Sequence, residues 1–93
     1  MYAVIRNYSG NPGLADQLAA RADEVKAIVS GISGFRGYYL LRTEDGCATV
    51  SVYDDKAAAD ESSSSAAAWL QEHATEITSS PPQITAGEVL YSA

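Results

Sequence analysis

The stretch GFRGYYLLRTEDGCATVSVYDD, residues 34–55, decides the fold of this chain. It is rich in aromatic and β-branched side chains, which pack well on a pleated sheet. The Asp45-Gly46 pair in its middle is typical of a tight hairpin turn. The stretch therefore predicts two antiparallel strands, with one helix and one strand of the remaining chain on either side of them.

Both faces of the first strand in this hairpin are apolar. Because side chains alternate along a strand, Phe35, Tyr39 and Leu41 share one face, and Tyr38 and Leu40 share the other. A sheet with one wet face would be polar on that side. The predicted helices can cover only one face. We therefore expect a second copy of the protein to cover the other, which makes a homodimer.

The rest of the chain supplies the helices and the outer strands. The predicted order is a strand at 2–9, an amphipathic helix at about 14–30, the hairpin, a helix at about 56–77 and a strand at 84–92. We interpret the serine run at 62–65 as part of the second helix, although a break there stays open. The order βαββαβ predicts an α+β, ferredoxin-like plait, in which a four-stranded antiparallel sheet carries two helices on one face.

Composition narrows the classes of partner. Twelve acidic and six basic residues give the 93-residue chain, read as one domain, a formal charge of −6. A protein that binds nucleic acid needs a positively charged surface, and an anionic membrane surface repels an acidic chain. We therefore expect neither nucleic acid nor a membrane as a partner. No apolar run is long enough to span a membrane, and no signal peptide is visible, so we expect a cytoplasmic protein. Cys47 is interpreted as a small buried strand residue.

Several segments carry a resemblance to a known family. They are YAVIR at 2–6, the Pro12-Gly13 turn before the first helix, Gly34-Phe35 at the start of the second strand, and VSVYDD at 50–55. With them the sequence resembles the dimeric α/β-barrel superfamily, and within it the antibiotic-biosynthesis-monooxygenase-like group. The resemblance implies that two protomers pair their sheets face to face as a barrel. Members include cofactor-free oxygenases of polyketide-type aromatics, haem-degrading enzymes and isomerases.

Asn7, Trp69 and His73 form the sharpest candidate site. Trp69 and His73 lie four residues apart on one face of the second predicted helix. Asn7 would join them if its side of the first strand meets the helices. The haem-degrading branch is similar in using an Asn on strand 1 with a Trp and a His from the helical layer, although its Trp–His spacing is longer. The alternative is that Trp69 is core and His73 is a helix-end residue.

A cofactor-free oxygenase needs substrate deprotonation in an apolar pocket. His73 is the side chain of the right pKa to act as general base, and Asn7 would hold the enolate oxygen, so these two are the candidate catalytic residues. Trp69 and Tyr39 are the candidate substrate-binding residues, because an aromatic wall suits a planar ligand.

The strand arginines Arg6, Arg36 and Arg42 need partners if they are buried. We expect structural ion pairs, with Asp54 and Glu88 as candidate carboxylates. The alternative is a clamp for an anionic substrate.

Motifs for common cofactors are absent from the sequence. It has no Gly-rich phosphate loop before a helix, no nucleophile elbow and no Cys or His pair with metal spacing. We therefore expect no ATP, NAD, zinc or other cofactor. The candidate functions are a cofactor-independent monooxygenase or binder of a planar apolar molecule, a non-catalytic dimerisation or interaction domain, and a haem-binding or haem-degrading protein. A pocket of about 300 Å³ or more that reaches His73 would favour the first.

Overall fold

The structure is a computed structural model that describes residues 1–10, 13–72 and 82–93. Its elements, in chain order, are β1 (Tyr2–Ser9), α1 (Leu14–Ala20), α2 (Ala22–Ser30), β2 (Phe35–Arg42), β3 (Gly46–Tyr53), α3 (Lys56–Glu72) and β4 (Gln83–Glu88). The strands form one antiparallel sheet in the order β2-β3-β1-β4. This confirms the ferredoxin-like α+β plait with a four-stranded sheet.

The helices lie on one face of the sheet. On that face β1 presents Val4, Arg6 and Tyr8, all of which are buried. Cys47 lies opposite Tyr8 on β3 and is also buried, as the sequence predicted. Burial raises the pKa of the Cys47 thiol, so this side chain is a packing residue rather than a nucleophile.

The opposite face of the sheet, called here the helix-free face, is apolar. Ile5 on β1 pairs with Val50 on β3, which in turn pairs with Tyr39 on β2. Leu41 lies one pleat further along β2, and Ile5, Tyr39 and Leu41 are all exposed in the protomer. The prediction of a sheet that is apolar on both faces is therefore confirmed for the protomer.

The first predicted helix is two helices. Arg21 separates α1 from α2 with φ −114° and ψ 21°, outside the helical range, and its N–H donates to the carbonyl of Leu18. The local sequence around Arg21 contains neither Gly nor Pro. Local propensity therefore favours one helix, and the break departs from it.

The second predicted helix is continuous through its serines. α3 begins after Asp55, whose carboxylate accepts a hydrogen bond from the N–H of Ala58 at 2.9 Å. It then runs without interruption to Glu72, which confirms the interpretation of residues 62–65 as helical. The predicted end near residue 77 lies outside the described residues.

Two details of the hairpin differ from the prediction. The loop is residues 43–45, and Gly46 is the first residue of β3. A Cβ on Gly46 would lie 2.2 Å from the carbonyl oxygen of Tyr8, so this glycine serves a close approach between strands. An irregularity between Phe35 and Gly37 also turns Phe35 to the helix-covered face, where its ring packs edge-on against Tyr53 at 5.9 Å.

The last strand is shorter than predicted. β4 ends at Glu88, and Leu90 and Tyr91 beyond it are almost fully exposed. In the part of the chain that the structure describes, no helix has the length and hydropathy that crossing a bilayer requires.

Candidate functional site

Arg6 lies at the centre of the interface between sheet and helices. Strand alternation places it on the helix-covered face, where it is 4% exposed. Its Nη1 donates to Oγ of Ser51 at 3.1 Å, and its Nη2 donates to Oγ of Ser62 at 3.1 Å and of Ser63 at 2.9 Å. We call these three serines the hydroxyl cradle. The expected carboxylate partner for Arg6 is therefore wrong, because neutral hydroxyl groups occupy that place.

The cradle explains part of the serine run on α3. Ser62 is fully buried in a helix whose inward stripe is otherwise alanine and tryptophan, and its hydroxyl reaches strand β1. Helical spacing in the sequence places Ser62 on the inward stripe but does not indicate Arg6 as its partner. A buried arginine on one element and polar residues on the inward stripe of another are the signal that could have indicated the pair.

The other two strand arginines do find carboxylates. Arg36 pairs with Asp54, as predicted, and Arg42 pairs with Asp16 on α1. Both pairs are exposed on the surface, where such contacts contribute little to stability. The hydrogen bond from Arg42 holds the pKa of the Asp16 carboxyl below its usual value. Arg6 thus differs from its neighbours in both burial and partners.

An apolar cavity adjoins Arg6 between α2, α3 and the sheet. It has a volume of about 30 Å³, and its walls come from α1, α2, α3 and three strands. Its lining residues are Arg6, Tyr8, Leu18, Val25, Ile28, Val29, Tyr38, Thr49, Ala66, Trp69 and Leu70. In this closed form the cavity has room for one or two water molecules, but not for an aromatic ring. It is far below the roughly 300 Å³ that we set as a criterion for a ligand site.

Tyr38 connects this cavity to a larger groove. The groove, of about 470 Å³, lies outside β2 and α2 and includes Phe35, Leu40 and Lys26 in its lining. Tyr38 is the described residue that lines both spaces. The cavity at Arg6 and this larger groove therefore share one wall residue.

Two phenol groups in the cavity keep their protons at neutral pH. Burial raises the pKa of Tyr38 to about 12, against a smaller lowering by the charge of Arg6. Burial likewise raises the pKa of Tyr8, and Arg6 again opposes the shift. Both hydroxyl groups are therefore available as hydrogen-bond donors beside the guanidinium.

The residues of the predicted site do not all come together. Trp69 is buried at 7% exposure and lines the cavity. Asn7 is exposed on the helix-free face, since it alternates with Arg6 and Tyr8, so the sheet separates it from Trp69. Tyr39 also lies on the helix-free face, 63% exposed, at the rim of the outer groove. His73 lies outside the described residues.

Comparison with known proteins assigns the fold to a family. A family model described as antibiotic biosynthesis monooxygenase matches residues 1–74. The chain belongs to this family. No protein of curated function matches the chain in sequence.

Several solved structures share the fold. A protein of unknown function from Nitrosomonas europaea has a TM-score of 0.76 at 23% identity, over 99% of this chain and 91% of its own. The haem degrader MhuD from Mycobacterium tuberculosis, with two haems bound, has a TM-score of 0.75 at 20% identity. The match covers 100% of this chain and 99% of MhuD. A monooxygenase from Streptomyces coelicolor, bound to nanaomycin D, has a TM-score of 0.65 at 19% identity. The match covers 98% of this chain and 91% of the monooxygenase. At these identities the likeness shows the fold alone.

Proposed function

We propose that this member of the family binds a small planar aromatic molecule between its sheet and its helices. The observation that carries the proposal is the cavity at Arg6, where Trp69 and Tyr38 supply aromatic walls and Arg6 supplies a polar group. Ligand sites combine apolar lining with a few converging polar groups in this way. The family match supports the same reading, since one structural neighbour is a monooxygenase with a bound organic ligand.

Ligand entry requires the site to open. The cavity at Arg6 holds about 30 Å³, whereas the groove on the other side of Tyr38 holds about 470 Å³. A planar molecule therefore fits only when Tyr38 moves aside and the two spaces join. Its ring would then occupy the groove, and its polar end would reach the cavity.

The proposed reaction is oxygenation without a cofactor. A general base removes a proton from the substrate, and the resulting carbanion or enolate transfers electrons to O₂ and forms a carbon–oxygen bond. The balanced change is R₂CH₂ + O₂ → R₂C=O + H₂O, in which the substrate is the reductant and O₂ the oxidant. His73 stays the predicted base. Asn7 was predicted to hold the enolate oxygen, but it lies on the helix-free face and could do so only there.

The proposed assembly is a homodimer that buries the helix-free face. Ile5 and Leu41 are 41% and 46% exposed there in the protomer, and both faces of the sheet would be covered once a second copy packs against them. A purely non-catalytic dimerisation domain would share this interface but bind no small molecule. The cytoplasmic location stays a prediction.

A cavity-filling variant tests the ligand site. Ala66 lines the cavity on α3, and Ala68 is exposed on the same helix, so Ala66→Phe and Ala68→Phe add the same ring inside and outside the site. We expect hydroxylated aromatics to raise the melting temperature of the wild type and of Ala68→Phe, but not of Ala66→Phe. Haem is included in the screen because a structural neighbour holds it. If no compound shifts the wild type, or if both variants respond alike, the ligand site is wrong.

An oxygen electrode tests the reaction separately. Any compound that binds is incubated with the protein, and O₂ consumption is compared between wild type and His73→Ala. We expect consumption in the wild type and its loss in the variant. Binding without O₂ consumption would contradict the oxygenase activity but would be consistent with a ligand-binding protein.

A further inference from the structure

Arg6 carries a charge that the described part of the protein leaves unbalanced. A guanidinium does not lose its proton in proteins, so burial does not neutralise it. Its three hydrogen-bond partners, Ser51, Ser62 and Ser63, are all uncharged. Among the described residues, none of the ion pairs involves Arg6. Buried charges are ordinarily paired with an opposite charge, so this arrangement needs an explanation.

The hydroxyl cradle holds the guanidinium in place but does not neutralise its charge. Each serine accepts one hydrogen bond and fixes the side chain in place, but contributes no negative charge. A carboxylate in the same position would have satisfied the cation and removed its attraction for a ligand. Arg36 and Arg42, both exposed on β2, show that the chain does pair arginine with aspartate elsewhere.

The surroundings of Arg6 would strengthen an interaction with an anion. The adjoining cavity is lined mostly by apolar side chains, and charges attract more strongly there than in water. Tyr8 and Tyr38 add two protonated hydroxyl groups to its wall, and a phenol can donate to an anionic oxygen. A volume of about 30 Å³ accepts an oxygen atom or a carboxylate group, with the rest of a molecule outside.

We propose that Arg6 is the anion-binding residue of this cleft, and that the ligand is a planar aromatic molecule bearing an ionised oxygen, such as a carboxylate, phenolate or enolate. The proposal rests on the proposed function, because it names the chemical class of the ligand for the same site. The ionised oxygen occupies the cavity beside the guanidinium, and the ring lies towards Tyr38 and the outer groove.

The net charge of the chain makes this preference diagnostic. A protein of formal charge −6 repels anions in general. Tighter binding of an anion than of its neutral analogue therefore has to come from a local cation. Arg6 is the cation that lines the cavity, whereas Lys26 lies in the lining of the outer groove.

A matched pair of probes tests the proposal. 2-Naphthoate and 2-naphthamide share one ring and a similar shape, and only the first carries a charge. Their affinities are measured by isothermal titration calorimetry on the wild type, on Arg6→Met and on Arg42→Met. Arg42→Met is the control, because it removes the same charge from a surface position on β2, away from the cavity. We expect the wild type and Arg42→Met to bind the naphthoate at least tenfold more tightly than the amide. In Arg6→Met the two affinities become equal.

The outcomes separate this inference from the proposed function. If wild type binds both probes equally, or if Arg6→Met keeps the preference, Arg6 is not the anion-binding residue, although the cleft still binds rings. If the wild type binds neither probe, the ligand site itself fails, and the inference fails with it. Should Arg6→Met not fold, Arg6→Lys keeps the charge without the guanidinium fork, and a reduced but measurable preference is expected. If Arg6→Lys prefers the naphthoate as strongly as the wild type does, the proposed role of the guanidinium is wrong.

Discussion

The two sides of strand β1 differ in a way that reverses the usual distribution of side chains. On the helix-covered side, the cation Arg6 is 4% exposed between Val4 and Tyr8. On the helix-free side, the apolar Ile5 is 41% exposed. Soluble proteins ordinarily bury the second type and expose the first. We propose a partner outside the protomer for each reversed position: an anionic ligand for Arg6 and a second copy for Ile5.

The comparison also separates two kinds of energetic cost. An exposed apolar face loses the free energy that burial would give, in proportion to its area. A buried cation loses hydration, which hydrogen bonds to neutral acceptors restore only in part. The first cost is removed by association of large surfaces and the second by one small charged group. Mutations on the two faces should therefore change different measurements.

The largest effect is expected on the helix-free face. The variant Ile5→Asp with Leu41→Asp would place unpaired carboxylates in the dimer interface, and we expect the dimer dissociation constant to rise by at least about 100-fold. Light scattering coupled to gel filtration measures the change. The control is Ile84→Asp, since Ile84 pairs with Arg6 across β4 and so lies on the other face. A wild type that is monomeric at high concentration contradicts the interface.

The next effect concerns the hydroxyl cradle. Ser62→Ala removes one acceptor from the buried guanidinium and should lower the free energy of unfolding by about 1–3 kcal/mol. Ser64→Ala, at an exposed position of the same helix, measures the gain from helix propensity alone. Urea denaturation compares the two variants. Equal stabilities would show that the Ser62 hydroxyl does not support Arg6.

A smaller effect is expected when the cation itself is removed. Arg6→Met replaces a buried charge by an apolar chain of similar length, which is often neutral or stabilising in proteins. We expect its free energy of unfolding to stay within about 1 kcal/mol of wild type. A loss as large as that of a core deletion, about 3 kcal/mol or more, would make Arg6 a structural residue rather than a ligand-binding one.

The smallest effect is a pH dependence. Burial raises the pKa of Tyr38 to about 12, above its ordinary value of 10.0, so the folded state holds this proton more tightly than the unfolded state. The stability that this protonation contributes is complete below the unfolded pKa and is lost as pH rises through the folded one. Between about pH 10 and about pH 12, Tyr38→Phe should therefore lose less stability than wild type. If wild type and Tyr38→Phe lose the same stability over this range, the Tyr38 hydroxyl is exposed to solvent rather than buried.

Strand and helix patterns predicted most of the fold. Alternation over residues 34–55 gave the hairpin and both apolar faces, because period-two burial is a local property of a strand. The break at Arg21 could not be predicted, since the residues around it favour one continuous helix. The turned ring of Phe35 depends on one irregular pairing, which a strict alternation does not contain.

The candidate site was predicted less well. Trp69 faces inward, as its helical spacing indicated, and belongs to the core that lines the cavity. Asn7 lies across the sheet, because the sequence does not decide between the two faces of β1. Arg6 was weighed as a member of an ion pair, since buried arginines usually have carboxylate partners. Its contacts with Ser62 and Ser63 join residues 56 and 57 positions apart, and such contacts come from tertiary structure alone.

A crystal structure of the protein with 2-naphthoate is the most direct test of the contrast between the two faces of β1. The predicted result is a carboxylate within hydrogen-bonding distance of the Arg6 guanidinium, with Tyr38 displaced and a second copy packed on Ile5 and Leu41. A naphthoate bound elsewhere, with Arg6 held by its serines alone and the helix-free face in solvent, would contradict the account.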